Sequence, residues 1–206
     1  MDLCNNSLDL DFFFENGWLV NDNYFSAAFS RILLQEINFL RREGEFLKAG
    51  IGKGISFQHK PEIRSDFVYW LDPLSPSPVQ QEYLNKIDQI IQLFRESFFL
   101  PIQDYEAHYA VFPVGSFYKK HLDQFKEAGN RLLSCILYLN ENWTDSDGGE
   151  LRIYKNDGSS IEIKPELGRL LIFRSDLIEH EVLITNRERF SLTGWMRKET
   201  TGIINL

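Results

Sequence analysis

The 206-residue chain reads as mainly β with N-terminal helices: a double-stranded β-helix, or jelly roll, covered by about two long α-helices. Three observations lead there. Two stretches in the first hundred residues place apolar side chains every three or four positions, the period of an amphipathic helix. From residue 104 about eight short β-like runs follow one another between turn-forming residues, as in two-sheet antiparallel architectures. Hydrophobic residues make up 43% of the chain, and Phe alone contributes 17, enough apolar surface for a sizeable packed core. One domain is expected over 1–206, with 1–100 as its helical N-terminal part and 101–200 as the jelly-roll core.

Residues 8–20 are apolar and interrupted by Asn16-Gly17, a turn signal. A helix is expected over about 22–43. Phe25, Ala28, Phe29, Ile32, Leu33, Ile37 and Leu40 share its apolar face, Glu36 is the polar intrusion, Asp22 or Asn23 the cap, and Gly44 lies near the end. Residues 49–60, with Gly50, Gly52 and Gly54, read as a mobile loop; no strand–helix context makes them a dinucleotide fingerprint. A short strand is expected over 66–71, followed by a proline-rich break. Ser77, Pro78 and Gln80 then supply the cap, first-turn proline and capping-box partner of a second helix running to about 99, with Tyr83, Ile87, Ile90, Ile91, Phe94 and Phe98 as its stripe. Pro101 stops it. The expected strands are 104–112, 118–123, 131–139, 150–154, 160–163, 169–173, 180–184 and 189–197.

Lys and Arg total 22 against 30 Asp and Glu, a net charge of −8, which disfavours phosphate backbones; no nucleic-acid partner is expected. Cys4 and Cys135 do not make a disulfide framework, and Cys135 sits in an apolar run as a small core residue. No run of 18 apolar residues suggests a membrane span, and residues 1–5 lack the basic start of a signal peptide. The expected setting is cytoplasmic and reducing.

There are four histidines. His59 lies in a polar loop and is expected to be solvated; His108, alone on a strand, is expected to be a hydrogen-bonded core or rim residue. His121 differs, because Asp123 shares its face on a strand. His180 opens a strand further on, and Arg189 follows nine residues later. Two histidines and one carboxylate on a β scaffold are the donor set of the facial triad of non-heme Fe(II) oxygenases, which leaves one face of an octahedral ion open. A reducing compartment would keep that iron as Fe(II). Arg189 begins a mostly apolar strand. A buried arginine needs an anion, and its planar fork suits a carboxylate held by two hydrogen bonds. A salt bridge to Glu179, Glu181 or Glu188 is the competing reading. For Tyr138 and Trp195 a place as core aromatics is the competing reading.

Further residues stand in a familiar order: Tyr118-x-x-His121-Leu-Asp123, Arg131-x-x-x-Cys135-Ile-Leu-Tyr138-Leu-Asn140-x-x-Trp143 and Gly148-Gly149-Glu-Leu151-Arg152-Ile153-Tyr154. Gly168-Arg-Leu-Leu-Ile-Phe173-x-Ser175-Asp176, His180-Glu181-Val182 and Arg189-Phe-Ser-Leu-Thr193-Gly-Trp195 complete it. Together they resemble the Fe(II)/2-oxoglutarate-dependent oxygenases, in the prolyl hydroxylase branch of the hypoxia-inducible-factor prolyl hydroxylases and their bacterial relatives. The likeness covers roughly 60–200 and is strongest over 104–197. Ile63-Arg64-Ser65-Asp66 followed by Trp70 resembles the branch's substrate loop.

The resemblance implies Fe(II) held by His121, Asp123 and His180. It implies 2-oxoglutarate as cosubstrate, its C5 carboxylate paired with Arg189 and bonded by Tyr138, with Ser191 and Thr193 as helpers. O2 and ascorbate follow as oxidant and reductant. His121, Asp123, His180 and Arg189 become the catalytic set. Tyr118, Arg131 and Trp195 would line the substrate entrance, and Arg64 would pair with Asp66 to shape a loop that closes over the substrate. The implied reaction is hydroxylation of a prolyl residue in a protein or peptide, which for bacterial relatives is a translation factor, with no nucleic acid and no membrane involved. Because Asp123 fills a coordination position, halogenation is not expected. One departure stands out. Phe112 lies about where the branch has a tyrosine that helps hold the cosubstrate, and the 112–118 segment is one residue shorter. Either Tyr109 or a water replaces that bond, or the cosubstrate binds more weakly. The alternatives are hydroxylation of another residue or of a small molecule such as free proline, and a non-catalytic jelly-roll binding module; the complete triad and Arg189 argue against the last.

Overall fold

The computed structural model describes residues 7–50, 58–124 and 129–199. Cys4 and most of the glycine-rich loop, including Gly52 and Gly54, lie outside them. The N-terminal half contains α1 (Leu10–Asn16), β1 (Trp18–Asn21), α2 (Ala27–Arg42), β2 (Leu47–Lys48), β3 (Phe67–Trp70) and α3 (Pro78–Phe98). The rest contains β4 (Asp104–Phe112), β5 (Tyr118–His121), β6 (Arg131–Tyr138), β7 (Leu151–Tyr154), β8 (Ser160–Ile163), β9 (Leu170–Arg174), β10 (His180–Val182) and β11 (Arg189–Arg197).

The first stretch, 8–20, resolves into α1 and β1. Asp9 caps the helix by accepting from the Phe12 N–H, and Gly17, at φ 75°, closes it in the left-handed conformation that glycine adopts without strain. The second helix starts at Ala27, later than expected, because Ser26 accepts from the Phe29 N–H. Neither Asp22 nor Asn23 is the cap: Asp22 is bound by Arg169 at 2.6 and 3.1 Å, and the Asn23 N–H is taken by Asn21 Oδ1. The third helix carries the capping box of Ser77 and Gln80.

All neighbouring strands pair antiparallel. One sheet has the order β1-β9-β6-β11-β4-β3-β2, the other β5-β10-β7-β8. The eight strands from β4 onward thus divide four and four, and β1, β2 and β3 extend the larger sheet on both sides. The first hundred residues are therefore not only helical.

Residue parity decides which layer each strand residue joins. Tyr109 and Val111 of β4, Leu133, Cys135 and Leu137 of β6, and Leu192 and Met196 of β11 face α2 and α3. They form one apolar cluster there with Phe29, Leu33, Ile37, Ile87, Ile90 and Phe94. Cys135 is buried as expected, and burial pushes its thiol up to about 12. The alternate residues face the smaller sheet. Ile136 and Tyr138 meet Leu151, Ile153 and Phe173 there, while Ala110 and Phe112 meet Val68 and Val182. Gly194 is required by a close approach: a Cβ at that position would collide with the Tyr105 phenol. Among the described residues, no helix is long and apolar enough to cross a membrane.

Candidate active site

The space between the sheets opens into a cavity of about 400 Å³. His121, the last residue of β5, pairs across the ladder with His180, the first residue of β10. Asp123 was expected on the same strand face as His121. It lies instead in a bend at Asp123 and Gln124, just past the end of β5, and its carboxylate still reaches both imidazoles. His121 Nε2 is 3.4 Å from Asp123 Oδ1, and His180 Nε2 is 3.8 Å from Asp123 Oδ2. One potential ligand atom from each of the three residues falls within 4.8 Å of the others.

Both imidazoles are aimed by the backbone. His121 Nδ1 lies 2.7 Å from the Lys119 carbonyl and His180 Nδ1 3.0 Å from that of Ile178. A carbonyl only accepts, so Nδ1 carries the proton and Nε2 presents its lone pair inward. Tyr118 stacks on His121 with ring centroids 3.6 Å apart, and the Arg64 guanidinium covers the Tyr118 ring at 4.4 Å. Arg64 is itself held by buried Asp66 through two bonds of 2.8 and 2.5 Å. Burial lowers the His180 pKa to about 4, helped by His121 and opposed by Asp123. Burial would raise that of Asp123, but His180, His121 and Arg131 outweigh it and hold the carboxyl well below its ordinary range. Neutral imidazole and ionised carboxylate are the protonation states that bind a divalent cation, and two nitrogens with one oxygen suit Fe(II).

Arg189 lies on the same inward face, 1% exposed, with Nε donating to the Gly149 carbonyl at 2.8 Å. None of the three glutamates weighed as its partner reaches it. Glu179 pairs with Lys120, Glu181 with Arg152 and Tyr154, and Glu188 with Arg41. Burial lowers the Arg189 pKa, and the Phe112 and Tyr138 rings flank its guanidinium at 5.0 and 5.1 Å. The Tyr138 hydroxyl is buried beside the Arg189 guanidinium and makes no hydrogen bond of ordinary geometry among the described residues. Among the described residues no carboxylate bonds the Arg189 guanidinium, and a buried cation without a bonded anion, beside a buried phenol, is costly unless an anion joins them. A small dicarboxylate would meet that need, and Arg189 and the triad line one cavity. The residues present therefore fit both a metal ion and 2-oxoglutarate. Ser191 and Thr193 line the same cavity, their hydroxyls 3.3 Å apart.

Phe112 sits directly opposite Arg189 in the ladder, so a ring without a hydroxyl occupies that side. Tyr109 does not replace it. Three residues away on the strand, Tyr109 has the opposite parity, faces the helices and donates to Glu36 at 2.5 Å. Trp195 lines the cavity under the guanidinium of Arg131, which lies 3.5 Å from its ring centroid and binds Glu106 at 2.8 Å.

His108 was expected to be hydrogen-bonded. It is buried in the cavity wall between Trp70 and Trp195, at 4.7 and 5.3 Å between ring centroids, and its Nδ1 has no partner. Its parity with Ala110 and Phe112 was the signal that placed it inward. His59 is exposed as expected, yet it borders the cavity and its Nδ1 meets the Ala49 carbonyl at 3.2 Å. The Gly149 carbonyl, which orients Arg189, has no signal in the sequence. Its part depends on contact across elements, although a Cβ on Gly149 would press on Arg189 Cδ at 3.1 Å.

The profile of the 2OG-Fe(II) oxygenase superfamily matches residues 107–197. A prolyl-4-hydroxylase from Pseudomonas putida is similar in structure, with TM-score 0.83 and 35% identity over 92% of this chain and 97% of that one. A prolyl hydroxylase from Trichoplax adhaerens, solved with a hypoxia-inducible-factor peptide, matches at TM-score 0.83 and 25% identity over 94% and 89%. The hypoxia-inducible factor prolyl hydroxylase of Caenorhabditis elegans is 33% identical over 195 residues, 88% of this chain; the match spans only 26% of that longer relative.

Proposed function

This chain belongs to the 2OG-Fe(II) oxygenase superfamily, and from that premise we propose that it hydroxylates a prolyl residue in a protein or peptide. The observation that carries the cosubstrate is Arg189, a buried guanidinium bonded by no carboxylate among the described residues, in one cavity with a His-Asp-His triad. The peptide bound to the Trichoplax relative supports a protein substrate over a free amino acid. The metal, when bound with 2-oxoglutarate and O2, supplies the oxidising power to hydroxylate an unactivated C–H bond.

The protein's part is to bind, orient and exclude water. His121, Asp123 and His180 hold Fe(II) through Nε2, a carboxylate oxygen and Nε2. Arg189 receives the C5 carboxylate of 2-oxoglutarate with its two free nitrogens, and the Tyr138 hydroxyl donates to the same group. Ser191 and Thr193 border it. The apolar rings of Phe112 and Phe173 keep water from the cosubstrate and from His180. Tyr118 and Trp195 form the wall beside which the target proline lies. Arg131, fully engaged by Glu106 and Trp195, fixes that wall. Arg64 and Asp66 anchor the segment over Tyr118. Ascorbate keeps the iron reduced, and the setting is cytoplasmic.

The test combines purified protein, Fe(II), ascorbate and 2-oxoglutarate with lysate proteins, a translation factor among them, and separately with free proline. Succinate together with a one-oxygen mass gain on a prolyl residue supports the reading. Turnover of free proline alone would replace it with a small-molecule hydroxylase. The absence of both products from metal-loaded protein would refute it.

A further inference from the structure

Asp123 is the one triad member outside a strand, so no ladder bond holds it. Its carboxylate is held by side chains instead. The Ser134 hydroxyl, on the inward face of β6, lies 2.6 Å from Asp123 Oδ2 and 2.9 Å from the Ser175 hydroxyl, which follows β9. Both serines are fully buried. The direction of the chain follows from chemistry. The carboxylate is ionised and only accepts, so the single hydroxyl proton of Ser134 goes to Oδ2. The Ser134 oxygen is then the acceptor for Ser175. Each bond polarises the next. Ser175 holds the bend a second time, because its carbonyl accepts from the Gln124 N–H at 3.0 Å.

We propose that Ser134, backed by Ser175, is a positioning residue that keeps Asp123 a one-oxygen metal ligand; this rests on the metal-centre reading above. Oδ2 is engaged by Ser134, which leaves Oδ1 for the metal. In an octahedral ion, two imidazoles and one carboxylate oxygen leave three positions, two for a chelating 2-oxo acid and one for O2. A carboxylate turned to bind through both oxygens would take one of those positions. Ser134 therefore governs how many sites stay open as well as how tightly the ion is held.

The probe is Co(II), an air-stable substitute for Fe(II), titrated into metal-free protein and then followed by 2-oxoglutarate. Loss of an outer-shell partner typically costs about 10–100-fold in metal affinity, and S134A is expected to fall in that range. S134A is also expected to bind 2-oxoglutarate more weakly once loaded with Co(II). S134T, which keeps the hydroxyl, restores both. S175A loses less, in the same direction. The thermal midpoint of each metal-free variant reports folding separately, and S175A decides the question if S134A does not fold. Wild-type Co(II) affinity in folded S134A, or in S175A where it alone folds, overturns the proposal, as does a folded S134T that binds no better than S134A. Wild-type protein that takes up no Co(II) refutes the metal-centre reading itself and this inference with it, which is a different result from an indifferent S134A.

Discussion

Neighbouring residues on β4, β6 and β11 face opposite ways, and the two faces they build treat polar groups differently. On the helix side Tyr109 donates to Glu36, and Tyr83 and Tyr105 share a hydrogen bond of 2.6 Å. On the cavity side the Tyr138 hydroxyl, His108 Nδ1 and Trp195 Nε1 have no partner; only Ser30 Oγ joins them among the described residues, and it lies on α2. Arg189 adds to the same side a guanidinium that no carboxylate bonds among the described residues. Three of four orphaned atoms on one side of one sheet mark where the molecule gives up stability. The helix side is built to be finished on folding, and the cavity side is finished by what it binds.

The largest effect expected on the cavity side comes from the triad. His121→Ala should weaken Co(II) binding by more than ~100-fold, beyond the range typical of an outer-shell partner. It should also abolish succinate formation, with an unchanged circular dichroism spectrum. A module that only binds a partner would keep that partner in this variant. The helix side should show the reverse. Ile87→Ala removes a fully buried side chain and should cost ~2–5 kcal/mol in urea unfolding, with the KM for 2-oxoglutarate nearly unchanged. If Ile87→Ala instead changed KM strongly, the two faces would not be separate in function.

Phe112→Tyr tests a smaller difference. A hydroxyl there supplies a second donor, besides Tyr138, next to Arg189, and one hydrogen bond of about 0.5–1.5 kcal/mol should tighten 2-oxoglutarate binding by about 2–10-fold. Unchanged or weaker binding in a calorimetric titration would mean that the ring at 112 only excludes water. The smallest effect concerns acid. Burial, with Arg64 and Arg131, holds the His108 pKa well below 6.5, against an opposing pull from Asp123. The unfolded chain therefore takes up a proton that the folded protein refuses, and stability falls as pH drops below 6.5. Urea midpoints on either side of that value should differ less in His108→Phe than in wild-type protein. An equal difference would show that His108 is not part of the acid sensitivity.

Periodicity made the long elements legible. The apolar stripe of α3 and its Ser77-Pro78-Gln80 start are local signals, and so are the turns between the eight jelly-roll strands. The start of α2 was misread because several cap-competent residues precede it, and only the distant Arg169 decides that Asp22 is otherwise engaged. β1 and β2, four and two residues long, are too short to show alternation. In the site, the types and order of His121, Asp123, His180 and Arg189 were readable. The bend at Asp123 and Gln124 was not, because a spacing of two fits a strand and a tight turn alike. Tyr109 is different: its parity relative to Phe112 was already in the sequence and excluded it as a stand-in. Ser134, Ser175 and the Gly149 carbonyl act across elements, so their parts appear only with the sheet register.

The most direct measurement is equilibrium binding of 2-oxoglutarate to Co(II)-loaded protein, comparing wild type with Arg189→Met, together with the thermal midpoint of each metal-free form. Removing one partner of a buried charge pair costs ~2–5 kcal/mol, so the variant should bind at least ~30-fold more weakly. It should also melt at a higher temperature, because a buried charge without a counter-ion has gone. Equal affinity in the two proteins would contradict the assignment of Arg189, and of the unmet cavity side with it, to the cosubstrate.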